Sequence, residues 1–282
     1  MGDIMAYVHL RVILKNKIDN YKYCSGRIGK NIINGPAQGT TPIRQLRYQD
    51  KRAERVCEWK LTENFEEDDL WITLTYQKAS VIDSEKARKD ISLFLVYLRR
   101  AYKKESNELR YIYTAGRGKR GNIHFHMVLN KFDTAVIAKI WRNITGGGVH
   151  FRHLYTEFNN YGQVNYKKIA NYLIKNSRET FYSTDKIHKK RFCASINLKM
   201  PRLEKNIINA KQWKKEPTTI KGYILDKESI YDGYGWLDEG HKWDCCRVQR
   251  YTLIRIDGGY KPRYKNHKIL DIPMGDDEFA EE

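Results

Sequence analysis

Residues 109–129 read L-R-Y-I-Y-T-A-G-R-G-K-R-G-N-I-H-F-H-M-V-L, and this stretch decides the fold. From Leu109 to Thr114 the run is β-branched and aromatic, which predicts a strand. Gly116–Gly121 (G-R-G-K-R-G) predicts a basic turn. Ile123–Leu129 predicts the returning strand. Alternation puts Ile123, Phe125, Met127 and Leu129 on one face, for packing into a core. His124 and His126 fall on the other, with Cα atoms about 6.6–7 Å apart.

Outward from this hairpin the pattern continues. Leu70–Tyr76 (L-W-I-T-L-T-Y) predicts an earlier strand. Asp83 is placed to cap a helix, with Glu85 in its first turn. Apolar residues then recur at Ala87, Ile91, Phe94, Leu95, Leu98 and Tyr102 with helical spacing. Downstream, Asp133 caps a short helix running to Trp141, Gly146-Gly147-Gly148 ends it, and Val149–Leu154 returns as a strand. Residues 164–178 predict one more helix, and a late strand falls around Val248–Ile256. The order β-α-β-β-α-β-α predicts an α+β fold, a mostly antiparallel central sheet backed by helices. Residues 1–60 are basic and weakly patterned, and 29–44 read as loop. No repeat or low-complexity tract occurs.

The 282 residues carry 52 Lys and Arg against 34 Asp and Glu, a net charge of +18. That surplus makes a polyanion the expected partner, with affinity that falls steeply with salt. The 20 Tyr and 6 Trp interleave with the basic residues, and flat rings can stack on unpaired bases. The stretch from Lys186 to Lys221 is strongly basic, and every charged residue from Asp271 onward is acidic. Lys186–Lys221 reads equally as a nucleic-acid-recognition surface or as a basic covering layer. Trp213, among Lys211, Lys214 and Lys215, is its foremost candidate for DNA contact. The longest apolar stretch, near Ile91–Leu98, is far short of the ~20 residues that cross a bilayer. No leader pattern opens the chain, so a cytoplasmic protein without a membrane partner is expected. Five cysteines, two of them adjacent and none in C-x-x-C, argue against a disulfide framework or a structural zinc site.

Two imidazoles reaching from one strand can hold a divalent cation. Taken alone, an H-x-H pair is equally what two surface or core histidines would look like. Context comes from the helix, where Lys168, Tyr172, Lys175 and Glu179 are spaced +4, +3 and +4 and so share a face. A tyrosine hydroxyl has a resting pKa of about 10 and is a poor nucleophile at neutral pH. A neighbouring ammonium or a metal-bound phosphate favours the phenolate that attack requires. With 20 tyrosines in the chain, a purely structural Tyr172 fits the pattern as well. The chain lacks G-x-x-x-x-G-K-[ST], H-E-x-x-H and G-x-S-x-G, which argues against P-loop, zincin and hydrolase-elbow chemistry.

Three elements together carry a resemblance: Trp71–Tyr76, then His124-Phe125-His126, then Tyr172-Leu173-Ile174-Lys175. In that order they resemble the first motif, the His–hydrophobe–His metal motif and the Y-x-x-K motif of HUH-superfamily endonucleases. More narrowly, they resemble the rolling-circle replication initiators of small phages and plasmids, including the filamentous-phage replication-protein type. Asn64-Phe65, Trp141, Asn197-Leu198 and Pro201 extend the similarity to roughly residues 60–225.

The resemblance implies a ferredoxin/RRM-like nuclease core and a metal-dependent enzyme that nicks and rejoins single-stranded or extruded origin DNA through a 5′-phosphotyrosine. Tyr172 would be the nucleophile and Lys175 its phosphate-orienting partner. His124 and His126 would hold Mg2+ or Mn2+. Lys168, Arg117, Lys119, Arg120 and Trp213 would contact DNA. Tyr166, then Tyr161, follow as alternative nucleophiles. The implied partners are a replication origin and a separate helicase and polymerase, in a bacterial host cell. A carboxylate that relatives often carry just before the H-x-H strand is missing, since Tyr113–Arg117 has none. The organisation expected is a basic N-terminal extension at 1–60, a nuclease core at 61–185, a basic C-terminal region at 186–270 and an acidic tail at 271–282. A relaxase or transposase would share this chemistry, a non-catalytic nucleic-acid binder would lack cleavage, and a metal-dependent ribonuclease would leave no covalent adduct.

Overall fold

The computed structural model describes residues 6–25, 43–77, 82–118, 121–154, 157–159, 161–208, 213–234 and 247–256. The chain divides into two compact units. Residues 1–48 and 200–263 supply the first, residues 49–199 are the body of the second, and the boundary falls within helix α1 (Ile43–Asn64).

The second unit is built on β3 (Leu70–Thr75), α2 (Ser84–Lys104), β4 (Tyr111–Arg117), β5 (Ile123–Leu129), α3 (Thr134–Thr145) and β6 (Val149–His153). With β9 (Cys193–Ala194) the strands stand in the order β6-β3-β5-β4-β9, each pair antiparallel. This is the expected α+β arrangement, a βαββαβ unit with its first and third strands in the centre. Asp83 accepts the Lys86 N–H at 2.7 Å and starts α2, and Asp133 accepts the Ala135 N–H at 2.8 Å and starts α3. On one face of the sheet, Ile72, Leu74, Phe125 and Met127 pack against Ile91, Phe94 and Leu98 of α2 and Trp141 of α3. On the other face, Ile112 and Val128 pack against Cys57 and Leu61 of α1 and Ile169 and Leu173 of α4 (Lys167–Asn176).

The triple glycine does more than end α3. Gly146 closes it in the left-handed region at φ 70°. Gly147 lies so close to the end of β3 that a Cβ there would sit 1.9 Å from the Thr75 carbonyl oxygen. That same carbonyl accepts the Trp141 indole N–H at 2.8 Å.

The first unit is a second antiparallel sheet. Its strands are β1 (Ala6–Ile13), β2 (Lys17–Ser25), β10 (Arg202–Ile208), β11 (Tyr223–Tyr234) and β12 (Arg247–Arg255). They stand in the order β10-β1-β2-β12-β11. Residues 1–60, weakly patterned in sequence, thus supply two full strands and most of α1.

The helix expected over 164–178 is shorter. Val164 and Asn165 form β8 (Val164–Asn165), paired with β7 (Glu157–Phe158), and Asn165 Oδ1 accepts the Lys167 N–H at 2.9 Å as α4 begins. At the other end the Ser177 hydroxyl donates to the Ile174 carbonyl, and Thr180 donates to Ala115 and Ser177 carbonyls. Such hydroxyls compete for backbone acceptors, so the chain breaks and restarts as α5 (Arg178–Tyr182). Glu179 therefore stands on α5, while Lys168, Tyr172 and Lys175 stand on α4. Cys57 and Cys193 are free thiols, while Cys245 and Cys246 lie outside the described residues. No helix among the described residues is long and apolar enough to cross a membrane.

Candidate active site

Register aligns the site. His126 stands opposite Thr73 on β3 and Thr114 on β4, and His124 stands opposite Thr75 and Gly116. Cross-strand partners project to the same side. Trp71, Thr73, Thr114, Gly116, His124 and His126 therefore share the face that α4 covers. The two imidazoles lie with ring centroids 4.8 Å apart.

His126 is 2% exposed and both its ring nitrogens have partners. Thr73 Oγ1 lies 3.1 Å from Nδ1, and the Tyr172 hydroxyl lies 3.3 Å from Nε2. A neutral imidazole offers one donor and one acceptor, so one hydroxyl donates and the other accepts. Trp71 completes the nest, its ring 5.7 Å from that of His126 and 5.5 Å from that of Tyr172. Burial lowers the pKa of both histidines, and the charge of His124 adds to the effect at His126. Both rings are then neutral at neutral pH, the form that ligates a metal.

Gly116 makes room for His124, because a Cβ there would lie 2.6 Å from His124 Nε2. Thr114 Oγ1, in the His126 row, is buried with no hydrogen-bond partner among the described residues. Two neutral imidazoles beside an orphan hydroxyl fit the donor chemistry of a divalent cation. Among the described residues no group of three His, Cys, Asp or Glu side chains converges, so none of them replaces the carboxylate missing from 113–117.

The other residues singled out by sequence divide clearly. Lys168 and Lys175 are exposed on α4, one turn before and one turn after Tyr172. Arg117 is held by Ser84 Oγ at 3.0 Å and Asp185 Oδ2 at 3.1 Å. Lys119 and Arg120 lie outside the described residues. Trp213 belongs to the first unit and is 8% exposed, its ring packed edge-on against Tyr7 and flanked by Lys22 and Arg247. That packing buries most of the ring among its neighbours. Tyr166 is 2% exposed and donates its hydroxyl to the Phe65 carbonyl at 2.7 Å. Tyr161 is half-buried in the turn after β7. Trp71, Thr73, Thr114 and Gly116 carry no individual functional signature in the sequence. Their signal was the period-2 alternation of β3 and β4, which sets them beside the two histidines once the strand order is known.

Fold and site together define a basic α+β protein with a histidine pair and a tyrosine converging on one sheet face. Residues 69–181, which span the whole of this arrangement, match the family model of the replication-associated protein ORF2/G2P. The match covers less than half of the 282 residues and makes this part of the chain similar to that family. Neither the curated proteins nor the solved structures yield a match.

Proposed function

We propose that this protein is an HUH-type endonuclease that initiates rolling-circle replication by nicking and rejoining one DNA strand, with Tyr172 as nucleophile. The observation that carries the reading is the Tyr172 hydroxyl, 3.3 Å from Nε2 of His126. Two groups the chemistry requires, contributed by a helix and a strand 46 residues apart in sequence, meet at one point.

Tyr172 Oη attacks the scissile phosphorus in line with the 3′ oxygen. The O–P bond to tyrosine forms as the P–O3′ bond breaks, and the phenol proton is in balance passed to the leaving 3′ oxygen. One phosphodiester replaces another, so rejoining needs no ATP, in keeping with a chain that has no P-loop. Mg2+ or Mn2+ held by His124 and His126 would draw charge from the phosphate oxygens. Thr73 holds the His126 ring from behind, and Trp71 fixes the tyrosine ring beside it. The phosphate enters between Tyr172 and His126, which are in direct contact before it binds. Lys175, one turn along α4, orients the phosphate, and Lys168 meets the backbone of the strand. The substrate is single-stranded or extruded origin DNA in the cytoplasm of a bacterial host, with unwinding and synthesis left to a separate helicase and polymerase.

A second reading, a basic DNA-binding protein without cleavage, draws on the missing carboxylate. One experiment separates the two. Purified protein, Mn2+ and origin-containing single-stranded DNA are expected to give a protein–DNA adduct that survives denaturant and is abolished by chelator. An adduct that persists in Tyr172→Phe contradicts the nucleophile, and binding without any adduct supports the second reading.

A further inference from the structure

Within the second unit, a cleft of about 470 Å3 is lined by Lys60 of α1, Phe181 of α5, and Lys189, Lys190, Arg191 and Phe192 of the segment leading into β9. The Tyr172–His126 site uses none of these residues. The segment belongs to the basic stretch that begins at Lys186.

The cations around the cleft are not equivalent. Arg191 is committed: it pairs with Asp50, meets the Tyr182 hydroxyl, and lies over the rings of Phe181 and Tyr182 at 4.1 and 4.3 Å. Lys60, Lys189 and Lys190 have no ion pair among the described residues, in contrast to Lys51 with Glu54, Lys86 with Asp90 and Lys131 with Asp68. Burial, joined by the charge of Lys190, holds the Lys60 ammonium below the ordinary lysine value. Like charges turned toward one space repel until an anion enters it. Phe192 supplies the apolar wall, half-buried and packed in part against the cluster of Cys57 and Leu61. Pockets that enclose a small organic ligand span about 300–1,000 Å3. An aromatic wall beside a cationic one is the pairing that takes a base and its phosphate.

We propose that this cleft binds one nucleotide of a single DNA strand, its phosphate among Lys60, Lys189 and Lys190 and its base against Phe192. The inference takes from the proposed function only that the partner is nucleic acid. Its test runs in EDTA, where strand cleavage plays no part, so the two can fail separately. The full chain is titrated with a labelled oligothymidylate over a range of salt. Lys60→Gln/Lys190→Gln is expected to weaken binding about 10-fold and to lower the log–log salt slope by about 0.7 for each phosphate no longer neutralised. Phe192→Leu is expected to weaken binding about 10-fold with the slope unchanged. In the unaltered protein, the same oligonucleotide should protect Lys60 and Lys190 from acetylation, read by mass spectrometry. This readout needs no variant to fold. Unchanged affinity and slope in a double variant with normal thermal melting, or no protection of either lysine, overturns the proposal. Thymidine monophosphate that protects both lysines while the oligonucleotide does not would overturn the strand as the source of the nucleotide.

Discussion

Two tyrosines mark the start and the middle of α4, six residues apart, and the fold treats them oppositely. Tyr166 is sealed into the core on the α1 side, its hydroxyl committed to the Phe65 carbonyl. Burial, then the acidic Glu66, Asp69 and Glu67, raise its pKa far above the ordinary tyrosine value. Tyr172 is half-exposed, and its hydroxyl meets an imidazole nitrogen. A backbone carbonyl can only hold a phenol proton in place, whereas a neutral imidazole can also accept it. What faces each hydroxyl differs within one helix, and residue type alone does not distinguish the two.

Three substitutions sharpen or break that contrast. The largest effect belongs to His126→Ala, which removes the partner of Tyr172 and half of the proposed ligand pair. Adduct formation should fall at least ~100-fold, since even outer-sphere changes at metal sites cost about 10–100-fold. Gly116→Ala comes next. A methyl group there displaces His124, so cleavage should fall about 10-fold while the melting temperature changes little, a pattern read from adduct yield against thermal unfolding. Tyr166→Phe should do the reverse. It strips the buried Phe65 carbonyl of its donor and costs about 1–3 kcal/mol of stability in denaturant titration, with adduct formation intact. Cleavage that fails in Tyr166→Phe and survives in His126→Ala would invert the assignment of the two tyrosines.

Much of this was legible in the sequence because the second unit is locally consistent. The β3-to-β6 segment pairs regular periodicity with caps at Asp83 and Asp133, so each element declares itself within its own window. The H-x-H strand and the Y-x-x-K helix were readable, and the strand order then brought them together. Of the first unit only the strand near Val248–Ile256, which is β12, was legible, for two physical reasons. In β2, Asp19 and Asn20 are adjacent, polar and both buried, each satisfied by hydrogen bonds to Thr252, His9 or Ile18, so the expected alternation is erased. Its sheet also pairs β1 with β10 and β2 with β12, ladders that join opposite ends of the chain and leave no local trace. The sequence places the end of this helix within two residues of Asn176, but the restart as α5 is not legible, because Ser177 and Thr180 act through backbone hydrogen bonds that apolar periodicity does not register. Trp213 shows the opposite case. Its basic neighbours read as a DNA-contacting surface, whereas Lys22 and Arg247 close over the ring from strands distant in sequence.

The most direct test maps the covalent bond itself. Protein and origin-containing single-stranded DNA are reacted with Mn2+, the adduct is digested with protease and nuclease, and the nucleotide-bearing peptide is sequenced by mass spectrometry. The account predicts a nucleotide linked through its 5′ phosphate to Tyr172. A nucleotide on Tyr166, on Tyr161 or on any residue outside α4 would contradict it.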